Sequence, residues 1–133
     1  MTGKTIIVLG GGSGGVVCAN ELRKKLADKH RIVLIDRNEN HIFYPSLLWL
    51  VFGWRTSEQL LRPLSRLIKK GIEIIIGEIK QNDLANRLIS VNEQKLDYDY
   101  LVVSLGAELK ETGIPKTDKI FNFYCLEGAK LTQ

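Results

Sequence analysis

The residues whose types and spacing carry most chemistry stand near the start of the chain. Gly10, Gly11, Gly12, Ser13, Gly14 and Gly15 follow directly on the apolar run Thr5-Ile6-Ile7-Val8-Leu9. In the spacing Gly10-x-Gly12-x-x-Gly15 each glycine has a separate steric task. The first permits a tight reversal, the second lets a pyrophosphate approach the main chain, and the third lets a helix lie close against a strand. The free N–H groups at the start of the following helix then face an anion. A second apolar run, Arg31-Ile32-Val33-Leu34-Ile35, ends at Asp36. That is about 20 residues beyond the turn, where an acid accepts hydrogen bonds from ribose hydroxyls and repels a 2′-phosphate. The pattern predicts dinucleotide binding.

The elements that must hold these groups are legible around them. The two apolar runs show no alternation, which suits strands buried on both faces of a parallel sheet. Val16, Ala19, Leu22 and Leu26 recur at helical spacing with Arg23, Lys24 and Lys25 between them, as in an amphipathic helix packed on that sheet. Cys18 falls inside this helix as a small packing residue. Residues 46–52 are expected to form a short apolar helix, entered at Pro45 and stopped by Gly53. Its aromatic surroundings fit either burial against the domain body or the wall of a flavin or quinone pocket. His41 has no partner at ligand spacing and reads as a surface or capping histidine rather than a metal ligand.

From residue 57 to 70, Leu60, Leu61, Leu64, Leu67 and Ile68 mark a second amphipathic helix, broken at Pro63 and stopped by Gly71. A strand over 72–76 follows. Short strands near 79, over 87–91 and over 95–98, joined by Asn- and Asp-containing turns, predict a small antiparallel meander. A last apolar strand enters Gly106, where glycine lets the backbone approach a ligand. Leu126, Ala129 and Lys130 could begin another helix.

Composition bounds the function class. With 133 residues, 44% hydrophobic and 26% charged, the chain has room for one domain with its own core. Lys and Arg outnumber Asp and Glu by 19 to 15, but the basic residues are dispersed, so a solvated face is expected and no nucleic-acid partner. The two cysteines, Cys18 and Cys125, form no C-x-x-C pair and imply neither a disulfide framework nor a zinc site. The first residues carry no secretory signal pattern, so a cytoplasmic setting is expected, and no apolar run reaches the length of a spanning helix.

Three motifs, residues 10–15 with Asp36, the stretch from Pro45-Ser46 to Gly53-Trp54-Arg55, and residues 98–106, span most of the chain. In this order they resemble the N-terminal FAD-binding portion of the two-dinucleotide-binding flavoproteins, specifically the sulfide:quinone oxidoreductases and type II NADH dehydrogenases. The Pro-Ser and Gly-Trp-Arg stretch looks like the sulfide-oxidising members, whereas His41 and Pro45-x-Leu47-Leu48 look more like the NADH dehydrogenases.

The resemblance implies an α/β fold, a Rossmann-like parallel sheet with an antiparallel meander, incomplete relative to the full family domain. Residues 1–109 would be the FAD-binding domain, and residues 110–133 a loop and the start of a crossover toward a second nucleotide-binding domain. It implies that Gly12, Ser13 and Gly14 offer N–H groups to the FAD pyrophosphate, that Asp36 holds the ribose and that Arg37 lies near the adenine. Tyr44 and Pro45 would approach the isoalloxazine, Ile79 would meet the adenine through its main chain, and Ser104, Leu105 and Gly106 would pass beside the cofactor. Cys125 is the sole candidate for the cysteine that such enzymes turn on sulfide, although its surroundings match in part only. With quinone and sulfide or NADH as partners, a full-length protein would be an FAD-dependent oxidoreductase, peripheral to the membrane through a C-terminal part. The 133 residues by themselves would bind rather than turn over, with self-association where apolar surface is uncovered. The alternative of another class is a non-catalytic NAD- or FAD-binding module.

Overall fold

The computed structural model describes residues 2–108, 113 and 120–133. The chain divides into two compact units, Met1–His41 with Pro63–Gly106, and Ile42–Arg62 with Ala107–Gln133. Two of its three crossings between them fall in short strands, β3 (Asn40–Ile42) and β4 (Leu61–Pro63).

The first unit is built on a four-stranded sheet of β1 (Thr5–Leu9), β2 (Arg31–Asp36), β5 (Glu73–Ile76) and β9 (Tyr100–Val103) in the order β5-β2-β1-β9. Every pairing in it is parallel. The missing alternation in β1 and β2 has its cause in what lies on the two faces. Side chains alternate across a strand, so Ile7, Leu9, Val33 and Ile35 share one face and Ile6, Val8, Ile32 and Leu34 the other. The first set packs with Ile89, Val91 and Tyr98, the second with Ala19 and Leu64, and all of them are buried. With both faces covered, an apolar residue is required at every position.

Each cover is as simple in its pattern as the sheet. Helix α1 (Ser13–Lys25) lays Ala19, Val16 and Leu22 on one face. The opposite face receives an antiparallel meander of β6 (Ile79–Asp83), β7 (Leu88–Val91) and β8 (Gln94–Asp97). In β7 the alternation is clean, with Ile89 and Val91 buried and Leu88 and Ser90 half-buried, as expected for a strand with one covered face. A polar clasp joins the starts of β1 and β9. Asp99 accepts from the Lys4 ammonium at 2.7 Å and from the Thr5 N–H at 2.8 Å, while its own N–H donates to the Thr5 carbonyl. The Lys4 hydrogen bond, and then that of Thr5, holds the Asp99 carboxyl below its ordinary value, and Lys4 is raised above its own by the same partner.

The stretch 57–70 is not one interrupted helix. It forms a single turn, α3 (Ser57–Leu60), then β4, then another turn, α4 (Leu64–Leu67). Leu61 and Pro63 are extended, with ψ 137° and 131°. Pro63 also disfavours the helical region for the residue before it. The apolar positions therefore serve two cores rather than one helix face: Leu60 is buried in the second unit and Leu64 in the first.

In the second unit a 3-10 turn over Tyr44–Ser46 leads into α2 (Leu47–Val51), and α5 (Leu126–Thr132) lies near the end of the chain. Leu47, Leu50, Leu60 and Ala129 form its core. Gly53 ends the α2 segment at φ +70°, and the Trp49 carbonyl accepts from the N–H groups of Trp54 and Arg55. The other side of this segment is open: Leu48, Trp49, Phe52 and Trp54 are exposed, Trp54 by 71%.

Candidate nucleotide-binding site

Strand order makes one position in the first unit special. After β1 the chain moves to β2 on one side and then to β5 beyond it, while β9 returns to the other side of β1. The C-terminal end of β1 is thus where the connections diverge, and in open parallel sheets that crevice receives ligands. The glycine turn occupies this place, flanked by Asp36 at the end of β2 and Ser104 just beyond β9.

The glycines divide by what a side chain would meet. Gly10 has φ +101°, and a Cβ there would lie 2.3 Å from the Ser104 carbonyl oxygen. A Cβ on Gly15 would lie 1.8 Å from the Gly10 carbonyl oxygen and 2.8 Å from Ser104 Oγ, which is the cost of seating α1 directly on the turn. Both residues are buried. Gly12, with φ −69°, has nothing within 4 Å of a notional Cβ. Its missing side chain leaves room that the folded protein does not itself fill.

Hydrogen bonds sort the turn's main chain in the same way. The Gly10 N–H donates to the Ile35 carbonyl at 2.8 Å, and the Gly11 N–H donates to Asp36 Oδ2 at 2.6 Å. Asp36 Oδ1 accepts from the Asn38 N–H at 2.7 Å, so each carboxylate oxygen keeps further lone-pair capacity. On the other flank the Ser104 N–H donates to the Leu9 carbonyl, and the Ser104 hydroxyl donates to the same oxygen at 2.8 Å, with the Gly10 carbonyl 3.3 Å away. The donors of Gly12, Ser13 and Gly14 differ. The first main-chain bond of α1 is Val16 N–H to the Gly12 carbonyl, no side chain caps the helix, and no acid stands in its first turn. Among the described residues nothing accepts from the N–H groups of Gly12, Ser13 or Gly14, and Ser13 and Gly14 are exposed. Outward donors at the positive end of a 13-residue helix suit a multiply charged anion.

The other expected site residues take varied places. The Gly77 N–H donates to the Asp36 carbonyl at 2.8 Å, which fixes the turn before Ile79 at the end of β2. Ile79 itself pairs with Val91 and packs against the core. Leu105 follows Ser104 past the turn, and Gly106, at φ +79°, has open space around it. Arg37 is exposed. Tyr44 and Pro45 lie in the second unit, where the Tyr44 ring is 5.8 Å from that of Tyr124. Cys125 is exposed there, and its Sγ accepts from the Gly128 N–H at 3.4 Å as the cap of α5.

Two contributors escape the sequence. His41 Nδ1 lies 2.9 Å from the Gly11 carbonyl oxygen. Asn92, at φ +51°, accepts from the Glu78 N–H and approaches the Ile76 carbonyl, bracing the 77–78 turn. Nothing in the sequence ties His41 to the glycine turn, since its partner is a carbonyl 30 residues away; an asparagine in a turn is the only hint of Asn92.

The family model for pyridine nucleotide-disulphide oxidoreductases matches residues 4–131. The chain belongs to this family. Within the family it is 36% identical over 108 residues to the sulfide-quinone reductase of Aquifex aeolicus, covering 80% of this chain and 25% of that protein. It is 34% identical over 113 residues to the type II NADH:quinone oxidoreductase of Staphylococcus haemolyticus, covering 84% of this chain and 28% of that protein. The crystal structure of the Aquifex aeolicus sulfide:quinone oxidoreductase superposes with a TM-score of 0.84 at 29% identity, over 97% of this chain and 30% of that one. The chain thus spans 25% to 28% of the length of these two relatives. Among the described residues no helix is long and apolar enough to cross a membrane.

Proposed function

We propose that this chain is the FAD-binding portion of a flavoprotein quinone oxidoreductase of the sulfide:quinone type. The observation that carries the reading is the pairing of open space at Gly12 with free donors on Gly12, Ser13 and Gly14, beside an acid at the end of β2. A pyrophosphate fits the donors, and the remaining lone pairs of Asp36 fit ribose hydroxyls. FAD, when bound, supplies the two-electron chemistry. The chain's own contribution is to bind and orient it. Asp36 joins the two halves of the task, since the carboxylate that would accept from the ribose also holds the Gly11 N–H and so shapes the turn.

In this reading Arg37 and the Ile79 main chain lie toward the adenine, and Ser104, Leu105 and Gly106 border the cofactor from the β9 side. Tyr44 and Pro45 belong to the isoalloxazine end, and Cys125 is the thiol that would meet sulfide. Electrons would pass from sulfide to a quinone in the complete protein. A type II NADH dehydrogenase is the second reading, supported by the 34% identity to such an enzyme and by His41 with Pro45-x-Leu47-Leu48.

FAD titration with flavin fluorescence as the signal tests the proposal. The chain is expected to quench FAD at one equivalent, and Asp36→Ala is expected to weaken binding roughly 10- to 100-fold, as for loss of a hydrogen bond to a charged group. Binding of NAD with Asp36-dependent affinity and no binding of FAD would overturn it in favour of a plain NAD module.

A further inference from the structure

His41 lies outside the glycine motif, yet it touches the motif's main chain. Its Nδ1 is 2.9 Å from the Gly11 carbonyl oxygen in a half-buried setting. A carbonyl only accepts, so Nδ1 carries the proton and donates. The Gly11 carbonyl and the Gly12 N–H belong to one planar, trans peptide group, in which C=O and N–H point in opposite directions. A donor that fixes the carbonyl therefore fixes the N–H. The preceding peptide is held as well, because the Gly11 N–H donates to Asp36 Oδ2 at 2.6 Å.

We infer that His41 is a positioning residue for the anion site: by gripping the Gly11 carbonyl it aims the Gly12 N–H at the pyrophosphate. This rests on the FAD-binding reading above. Gly12 is where such a device is needed, since a glycine with nothing within 4 Å of its notional Cβ has no side-chain packing to set its peptide plane. Hydrogen bonding at the carbonyl also polarises the peptide and strengthens its N–H as a donor. The effect should follow the pyrophosphate and spare the nucleoside.

The test measures FAD, ADP and adenosine binding to the 133-residue chain and to three variants, alongside the Gly12 amide resonance. His41→Phe keeps a ring and removes the donor. It is expected to weaken FAD and ADP by about five- to tenfold, the loss of one hydrogen bond, to leave adenosine unchanged and to shift the Gly12 amide. His41→Asn, whose amide nitrogen falls near the position of Nδ1, is expected to restore both affinities, and His41→Gln serves if the phenylalanine variant fails to fold, with a partial loss of ADP affinity. Equal losses for adenosine and ADP, or wild-type ADP affinity in the phenylalanine variant, would overturn the inference while leaving the FAD reading intact. A wild-type chain that binds neither FAD nor ADP would instead remove the reading on which the inference stands.

Discussion

The glycine turn over residues 10–15 and the aromatic stretch over residues 43–54 are the two most distinctive passages in this sequence, and they are finished to different degrees. In the turn Gly10 and Gly15 are packed against backbone, Gly11 is held by Asp36 and His41, and the donors of Gly12, Ser13 and Gly14 are open among the described residues. In the aromatic stretch Leu47 and Leu50 are buried, while Phe43, Tyr44, Leu48, Trp49, Phe52 and Trp54 are exposed. The difference separates two kinds of unsatisfied surface. Open polar donors at the end of a rigid sheet specify a small anionic ligand, whereas an open apolar face specifies only that something apolar should cover it.

The contrast can be broken most forcefully at Gly15. A Cβ there would sit 1.8 Å from a main-chain oxygen that cannot move without moving the turn. Gly15→Ala is expected to cost roughly 3 kcal/mol or more, read as a fall in the urea midpoint with unchanged slope. In the second unit, Leu50→Ala opens the core and is expected to cost about 2–5 kcal/mol. Trp54→Ser on the exposed side should stay within about 0.5 kcal/mol. Equal effects from these two would show that the exposed side is covered in solution.

A smaller effect concerns the sheet that carries the turn. Asp99 is held below its ordinary value by Lys4 and by the Thr5 N–H, so its contribution to stability is fully present above the ordinary carboxylate value, near pH 4, and is lost as pH falls through the lower folded value. Asp99→Asn should therefore lower the Tm modestly at neutral pH, with the gap to wild type closing as the solution is acidified below about pH 4. A gap that widened in acid would contradict the assignment.

What the sequence made legible follows the range of the interactions. The turn, the two apolar strands, the helix after them and the meander depend on local pattern: period-2 alternation in β7, its absence in β1 and β2, and glycines at fixed spacing. The tasks of Gly10 and Gly15 could be read because each is a steric demand of the backbone itself. The stretch 57–70 could not be read correctly, because its leucines keep helical spacing while Leu60 and Leu64 belong to different units, a division visible only in three dimensions. His41 was missed for the same reason. Its partner is a carbonyl 30 residues away, and carbonyls carry no sequence identity.

Gly12→Ala separates a turn shaped for a cofactor from one merely folded tightly. The added methyl meets nothing in the free protein, so the variant should melt within a few degrees of wild type, while its FAD affinity, followed by flavin fluorescence in the same titration as wild type, should fall at least about tenfold because the methyl occupies the approach of the pyrophosphate. An unchanged melting temperature with unchanged FAD affinity would contradict the account.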